Sequence, residues 1–295
     1  QATIPVVSSP TPASLPSVTP SAAAITHYEN FPVASWLCPP RLRPAIAAIY
    51  WFARTADDLA DEGDAPAPQR LDDLAAYRAD LLAAATGQPP SARWPQVFGP
   101  LTPVIVQFQL LVPLLDDLLK AFEQDVCKTR DAAGYADRAE LLDYCSRSAN
   151  PVGRLLLHLY GVTAAEALAQ SDAICTALQL INFWQDLRQD IPRGRYYLPQ
   201  DRCDALGVDP RALAQTPQAT ILIAEQVQWT LGLMQQGTKL VHQVPGRAGW
   251  ELRLVVQGGL RILDRIDTLH YATLQTRPKL RAWDMPVMLW RALWM

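Results

Sequence analysis

The sequence is poor in the residues that mark several common classes of protein. Its five cysteines, at positions 38, 127, 145, 175 and 203, form no CxxC or Cys/His pattern, which argues against a disulfide framework or a zinc site and favours a reducing compartment such as the cytoplasm. The 26 Lys and Arg residues do not exceed the 29 acids, and they form no basic tail, so nucleic acid is not an expected partner. No uncharged apolar run approaches the roughly 18 residues of a transmembrane helix.

Glycine is also scarce, at 14 of 295 residues, and no stretch alternates apolar and polar residues as a strand would. Apolar residues instead recur at spacings of three and four, which predicts an all-α, single-domain bundle with one core and a central cavity. The predicted helices cover 42–62, 68–86, 103–127 with a kink at Pro113, 138–149, 152–169, 171–191, 218–243 and 248–273. Pro192, Gly194 and Pro199 predict a loop or flap over 192–200.

The two ends of the chain differ from its middle. Residues 1–26 carry no charge and are rich in Pro, Ser, Thr and Ala, which predicts a disordered tail ahead of a helical domain over 27–295. This tail lacks the basic start and continuous apolar stretch of a signal peptide. The C-terminal WDMPVMLWRALWM is too short to span a bilayer but suits peripheral contact with the inner membrane face. A terminal helix docked on the core explains it equally well.

Acidic residues are paired at a helical spacing in two places. Asp57/Asp61 and Asp58/Glu62 follow the apolar stretch AIAAIYWF, and Asp186/Asp190 follows ALQLINFW, where Asn182 extends the stripe by one turn. Carboxylates four residues apart share one helix face and repel each other. Two such stripes in apolar surroundings therefore predict a cavity lined with acids, although an isolated pair would indicate only a solvated helix face.

Oxygen ligands without His or Cys suit a hard cation. Two facing stripes formed by Asp57, Asp58, Asp61, Asn182, Asp186 and Asp190 would hold Mg2+ ions that grip a diphosphate and let its C–O bond ionise. Arg54, Arg188 and Arg195 are candidates for bidentate contacts to phosphate oxygens.

These motifs resemble those of the squalene and phytoene synthase family, the head-to-head prenyl transferases. The resemblance covers about residues 27–285, and its most specific element is QLINFWQDLRQDIPRGRYYLP at 179–199, with YWFARTADDLADE as the second. It implies an isoprenoid synthase fold, Mg2+ as cofactor and a prenyl diphosphate as substrate. By position, Arg54, Asp57, Asp58 and Asp61 take the first metal and diphosphate role, and Gln179, Asn182, Asp186 and Asp190 take the second. Tyr144 corresponds to a family tyrosine near the reacting carbons.

The stretch YCSRSANPVG departs from the family pattern, with Ser148 where Val is usual and Asn150 where Gly is usual. Together with HYENFPVAS at 27–35 it is similar to the hydroxysqualene synthases of bacterial hopanoid pathways. Glu29 replaces a basic diphosphate contact, so His27 alone transfers from that site. The implied reaction ionises presqualene diphosphate and captures the rearranged cation with water. Tyr144 and Asn150 are the predicted catalytic residues, with Tyr50 and Phe52 as further candidates near the cation, although core packing explains these aromatics as well.

Three alternatives remain at this point. The same metal motifs serve enzymes that couple two farnesyl diphosphates to presqualene diphosphate, squalene or phytoene. A non-catalytic helical assembly factor should have lost its acids, which this sequence retains. A structural Ca2+-binding domain should have a Gly-containing acidic loop, which this sequence lacks. Oligomeric state is not predicted.

Overall fold

The computed structural model describes residues 38–295, which form helices and no strand. The predicted tail over 1–26 and the residues His27 and Glu29 lie outside this range. The described part contains eleven α-helices: α1 Arg43–Asp61, α2 Ala67–Ala85, α3 Pro95–Phe108, α4 Val112–Arg130, α5 Arg138–Ser148, α6 Asn150–Tyr160, α7 Ala165–Asp190, α8 Gln200–Leu206, α9 Pro217–Gly237, α10 Gly246–Thr268 and α11 Asp284–Leu293. The all-α prediction is confirmed.

Several predicted helices have different boundaries in the structure, and those over 171–191, 218–243 and 248–273 correspond to α7, α9 and α10 with shifted ends. The helix predicted over 103–127 with a kink at Pro113 is wrong: α3 ends at Phe108, Gln109 adopts a left-handed φ of 49°, and α4 starts at Val112. Pro113 lies in the first turn of α4, where a missing N–H costs no hydrogen bond. The helix predicted over 152–169 is also wrong at its end, because Gly161 with φ of 72° terminates α6 and α7 begins at Ala165.

The core has two parts that meet at α6. One surrounds α7 and includes the fully buried Trp184, and the other surrounds α1 and includes Phe52. Phe52 stacks on Tyr77 with ring centroids 5.1 Å apart, so the alternative of core packing applies to this aromatic. Helices α6 and α7 approach closely at Gly153, where a Cβ atom would lie 2.4 Å from the Ser171 hydroxyl oxygen.

The lengths and sequences of the helices bear on membrane insertion. None of those within residues 38–295 combines the length and the apolar character needed to cross a bilayer. The C-terminal helix α11 has ten residues and packs on α10 through Met288 and Ala292. The docked terminal helix proposed as one alternative for this sequence is therefore present.

Candidate active site

The first acidic stripe occupies the last turns of α1. Arg54 lies one turn before the acids, and its guanidinium is 3.2 Å from the carboxylate of Asp57 and 2.7 Å from that of Asp58. Burial, together with the nearby charges of Asp61 and Asp58, raises the pKa of Asp57 to about 6 despite the opposing effect of Arg54. Burial therefore outweighs the stabilisation that Arg54 gives to the Asp57 carboxylate.

The end of α1 is held in place by Arg70 of α2. Its guanidinium donates hydrogen bonds to the carbonyl oxygens of Leu59, Glu62, Gly63 and Ala65 at 2.7–3.3 Å. These include carbonyls that a helix C-terminus leaves without intrahelical partners. Arg70 thus positions the turn after the first stripe, a role that sequence spacing did not indicate.

A cavity of about 690 Å³ opens beside the first stripe. Asp57 and Asp61 of α1 and Asp125 of α4 line it. Four arginines also line this cavity: Arg70, Arg130, Arg193 and Arg195. A pocket that combines carboxylates with guanidinium groups suits a metal-bound anion, because the acids hold the cations and the arginines hold the phosphate oxygens.

The second stripe occupies the last turns of α7, where Gln179, Asn182, Asp186 and Asp190 are all partly buried. Burial raises the pKa of Asp190 to about 7, and the charges of Asp186 and Asp61 add to this effect. Both stripes end at helix C-termini, where the helix dipole disfavours additional negative charge. A bound cation would relieve this electrostatic cost at both positions.

Arginines from distant segments pair with the acids of both stripes. Arg277, in the segment after α10, forms an ion pair with Asp186, and Arg195 of the predicted flap forms one with Asp61. Arg195 also lies near enough to Asp190 to oppose the rise in its pKa. The flap begins with a 3₁₀ turn over Ile191–Arg193 and reverses at Gly194, whose φ is 77°.

Arg188 has a different environment from the one the sequence suggested. It is exposed, and its guanidinium donates a 2.5 Å hydrogen bond to the carbonyl oxygen of Gln275. In this conformation it ties α7 to the segment after α10. A contact to phosphate would require release of this bond.

The predicted catalytic residue Tyr144 is buried on α5. Its hydroxyl donates a 2.7 Å hydrogen bond to Asp125. Burial raises the pKa of Asp125 to about 7, with Asp57 and Asp61 contributing and with Tyr144 and Arg195 opposing. Tyr144 therefore reaches the acid-lined cavity through Asp125, since the tyrosine itself does not line it.

Aromatic rings surround this tyrosine. Phe183 of α7 stacks on Tyr197 of the flap at 3.6 Å between centroids, and the Tyr144 ring lies 6.2 Å from Phe183 and 5.5 Å from Tyr135. Ring faces attract positive charge. The cluster lines neither cavity but adjoins the acid-lined one through Asp125. Its ring faces would stabilise a carbocation brought beside them, a role for which the sequence did not identify Tyr135, Phe183 or Tyr197.

Asn150 starts α6 after the break at Ala149. It is buried, and its side-chain oxygen accepts a 2.9 Å hydrogen bond from the Thr176 hydroxyl of α7. The nearby Ser148 hydroxyl oxygen is buried and has no hydrogen-bond partner among the described residues. A buried hydroxyl without a protein partner is a position where an ordered water molecule is expected.

A second, apolar cavity of about 110 Å³ lies between α6, α7 and α10. Its walls include Val152, Leu156, Ile174, Leu178 and Val255. Gly153 also lines it, so the close approach of α6 and α7 shapes one wall. This surface suits a hydrocarbon chain rather than a charged group.

Sequence reasoning missed several polar residues of the site, including Arg130 and Arg193 of the cavity wall. Asp125 and Arg277 lie outside the acid pairs, and Arg70 acts through backbone carbonyls. A search restricted to acids four residues apart cannot find Asp125, because its relevant neighbours are on other helices. No group of three or more His, Cys, Asp or Glu side chains within 38–295 is already arranged as a metal site.

Comparisons with known proteins match the chain to one protein family. A family model described as squalene/phytoene synthase matches residues 25–284. The chain is 34% identical to a hydroxysqualene synthase of Rhodopseudomonas palustris over 81% of its own length and 80% of that protein. It is 30% identical to a presqualene diphosphate synthase of the same organism, covering 74% and 76% of the two chains.

Solved structures show the same fold. The squalene synthase HpnC from Alicyclobacillus acidocaldarius superposes with a TM-score of 0.74 at 35% identity, covering 83% of this chain and 90% of that one. A dehydrosqualene synthase solved with a ligand superposes with a TM-score of 0.78 at 21% identity, covering 90% and 91%. The second likeness supports the fold alone.

Proposed function

The chain belongs to the squalene/phytoene synthase family, and from this premise we propose that it converts presqualene diphosphate and water into hydroxysqualene and diphosphate. The observation that carries the proposal is the 690 Å³ cavity lined by both carboxylates and arginines, together with a separate apolar cavity. The first suits a metal-bound diphosphate, and the second suits the end of a prenyl chain. The identity to the hydroxysqualene synthase relative supports the choice of reaction.

The residues present fit Mg2+. All predicted ligands are oxygen donors: Asp57, Asp58 and Asp61 on α1, and Asn182, Asp186 and Asp190 on α7. Mg2+ commonly takes one or two protein carboxylates and completes its shell with water and phosphate, so a preformed cluster of three ligands is not required. When bound, Mg2+ neutralises the charge that develops on the leaving diphosphate.

The arginines would exchange partners when substrate binds. Arg195 and Arg277 now neutralise Asp61 and Asp186, two carboxylates assigned to the metal. With a metal bound to these carboxylates, each guanidinium would turn to a phosphate oxygen, an acceptor that suits its bidentate geometry. We assign the same role to Arg54 and Arg188, with Gln179 and Asn182 as neutral donors. His27 remains a prediction outside the described residues.

The reaction requires a site that keeps stray water out. The C–O bond breaks with its electron pair leaving on diphosphate, and the carbocation rearranges. The aromatic cluster of Tyr135, Tyr144, Phe183 and Tyr197 would stabilise the cation and exclude solvent. The oxygen of one water then bonds to carbon, and the resulting oxonium releases a proton. These steps consume no reductant.

Three side chains are suited to position that water or to accept its proton. Ser148, whose hydroxyl has no hydrogen-bond partner within residues 38–295, and Asn150 stand where this chain departs from the family pattern, and we propose that they position the water. Asp125 accepts its hydrogen bond from a neutral tyrosine rather than from an arginine. With a pKa raised to about 7 by burial, it is a suitable acceptor for the released proton.

The rival reaction is the coupling of two farnesyl diphosphates. The identity to the presqualene diphosphate synthase relative supports this alternative. Purified protein should be incubated with Mg2+ and either presqualene or farnesyl diphosphate, without NADPH, and the lipid product identified by mass spectrometry. We expect hydroxysqualene from presqualene diphosphate. Consumption of farnesyl diphosphate with presqualene diphosphate left untouched would overturn the reaction and leave the family intact. Five free thiols favour a reducing compartment, so we place the enzyme in the cytoplasm.

A further inference from the structure

The C-terminal helix α11 is held against the body of the protein by one buried acid. The side chain of Asp284 is fully buried, and its carboxylate accepts 2.7 Å hydrogen bonds from Arg261 and Arg265 of α10. Met288 and Ala292 on the same side of α11 are also buried. These contacts fix the orientation of α11 and therefore determine which side chains it presents to solvent.

The outward side of α11 is apolar, although a surface helix ordinarily turns polar residues outward. The tryptophans Trp283, Trp290 and Trp294 are 58%, 62% and 77% exposed. The other large apolar side chains exposed here are Met285, Leu289 and Leu293. We call these six residues the C-terminal face. A contiguous exposed apolar surface of this kind marks a binding site.

The exposed charges within residues 275–295, which carry the C-terminal face, are basic. Lys279, Arg281 and Arg291 are exposed, and Arg291 is partly neutralised by Asp264 at 2.7 Å. Asp284 is the one acid in residues 275–295, and it is buried among arginines. Tryptophan beside Lys and Arg is typical of side chains that lie at the headgroup level of an anionic bilayer. A second copy of the chain would bring its own cations against these, which opposes self-association.

The segment that leads to this face is attached to the second acidic stripe. Gln185 donates a 2.7 Å hydrogen bond to the carbonyl oxygen of Pro278, and Arg188 and Arg277 add the contacts described above. The face and the stripe are therefore linked through a few residues of fixed backbone. A surface bound to lipid at this position would hold the second stripe beside the bilayer.

We propose that the C-terminal face binds an anionic lipid bilayer peripherally, with its three tryptophans at the headgroup level. Helix α11 has ten residues, about 15 Å at the rise of an α-helix, and so lies in the interface instead of spanning it. Lipid binding itself does not depend on the reaction catalysed. Lipid binding would benefit catalysis if the long-chain substrate enters the site from the bilayer, and this benefit rests on the proposed function.

The test uses the full chain and vesicles of phosphatidylcholine with and without phosphatidylglycerol, read by co-sedimentation. We expect binding to the anionic vesicles, weakened at least about tenfold by Trp290→Ser with Trp294→Ser. Lys279→Gln with Arg281→Gln should lower binding to anionic vesicles selectively. The matched control is Val106→Ser with Ile221→Ser, two exposed apolar residues on other helices, which should leave binding unchanged. Far-UV circular dichroism checks that every variant is folded.

Equal vesicle binding by the tryptophan variant and the control would overturn the proposal. So would light scattering that shows a dimer which the tryptophan substitutions dissociate, because the face would then bind protein. Turnover in detergent separates this proposal from the proposed function. The tryptophan variant should retain turnover of detergent-dispersed substrate and lose turnover of vesicle-embedded substrate. A wild-type protein that binds lipid but is inactive would contradict the proposed reaction and leave the lipid-binding proposal intact.

Discussion

Tyr144 on α5 and Asp125 on α4 are joined by a 2.7 Å hydrogen bond in which the phenol donates to the carboxylate. The bond connects a buried aromatic cluster to the wall of the acid-lined cavity. Because a hydrogen bond to the ionised form of an acid lowers its pKa, Tyr144 keeps a larger fraction of Asp125 ionised near neutral pH.

Removal of this hydrogen bond should shift the pH dependence of turnover. In Tyr144→Phe the pKa of Asp125 should rise above its value of about 7, so the rising limb of the kcat profile should move to higher pH. Asp125→Asn should lower kcat by about 10²-fold or more and remove the limb. The measurement is diphosphate release from pH 5 to 9. An unchanged limb in Tyr144→Phe would show that Asp125 does not titrate in turnover.

The stability of the metal-free protein should fall as pH rises. Burial raises the pKa values of Asp57, Asp125 and Asp190 to about 6, 7 and 7 from 3.8. Between pH 4 and 7 the folded state therefore binds more protons than the unfolded state, so the stabilisation present below pH 4 is lost through this window.

Thermal or urea unfolding in EDTA at pH 5 and pH 8 measures this effect. The free energy of unfolding should be higher at pH 5 than at pH 8. We expect Asp125→Asn to reduce this free-energy difference by about 1–2 kcal/mol, a value discounted for partial exposure. Asp117→Asn, on the outer side of α4 beside Lys120, is the control and should leave the difference unchanged. A wild-type protein more stable at pH 8 than at pH 5 would contradict the raised pKa values.

Loss of one acid from either stripe should nearly abolish turnover while the fold remains. Asp57→Ala and Asp186→Ala each remove a predicted Mg2+ ligand and also relieve repulsion between like charges. Helical content by circular dichroism should therefore be preserved, and Asp117→Ala is again the surface control. Near-normal kcat for either stripe variant at saturating Mg2+ would exclude that acid from the metal site.

Arg277 should matter for substrate binding more than for folding. Arg277→Gln removes its ion pair with Asp186 and the phosphate contact assigned to it. We expect KM for presqualene diphosphate to rise about tenfold, in line with the loss of one charged hydrogen bond. Arg130→Gln offers a comparison, because Arg130 lines the acid-lined cavity, which Arg277 does not, and pairs with exposed Asp131. Equal KM effects from both variants would show a general effect of charge rather than a specific contact.

The identity of the product tests the two departures from the family pattern. Ser148→Val and Asn150→Gly restore the usual family residues, and each should lower the yield of hydroxysqualene relative to other lipids. Thr176→Val removes the donor to Asn150 and should shift the products in the same direction, since Asn150 would no longer be held in place. A lowered melting temperature with unchanged products would assign Asn150 and Ser148 to structure alone.

The sequence by itself determined the helical fold class and the two acidic stripes. Both are local properties: apolar spacing of three and four defines a helix face, and acids four residues apart must share one. The family resemblance implied that Tyr144 lies near the reacting carbons, which stays a prediction, and in the structure its hydroxyl contacts the cavity wall through Asp125. Helix boundaries at Gln109 and Gly161 were missed because their left-handed backbone conformations end helices within apolar stretches.

Tertiary structure alone decided which distant residues meet. Arg277 lies 91 residues from Asp186, and Arg195 lies 134 residues from Asp61, so no local pattern relates either pair. The same holds for Asp125, whose pKa depends on its burial beside charges from α1 and the flap. The outward orientation of the tryptophans on α11 likewise depends on Asp284 binding two arginines of α10. Local periodicity determines which side chains share a helix face, whereas burial and long-range charge pairing depend on how the helices pack.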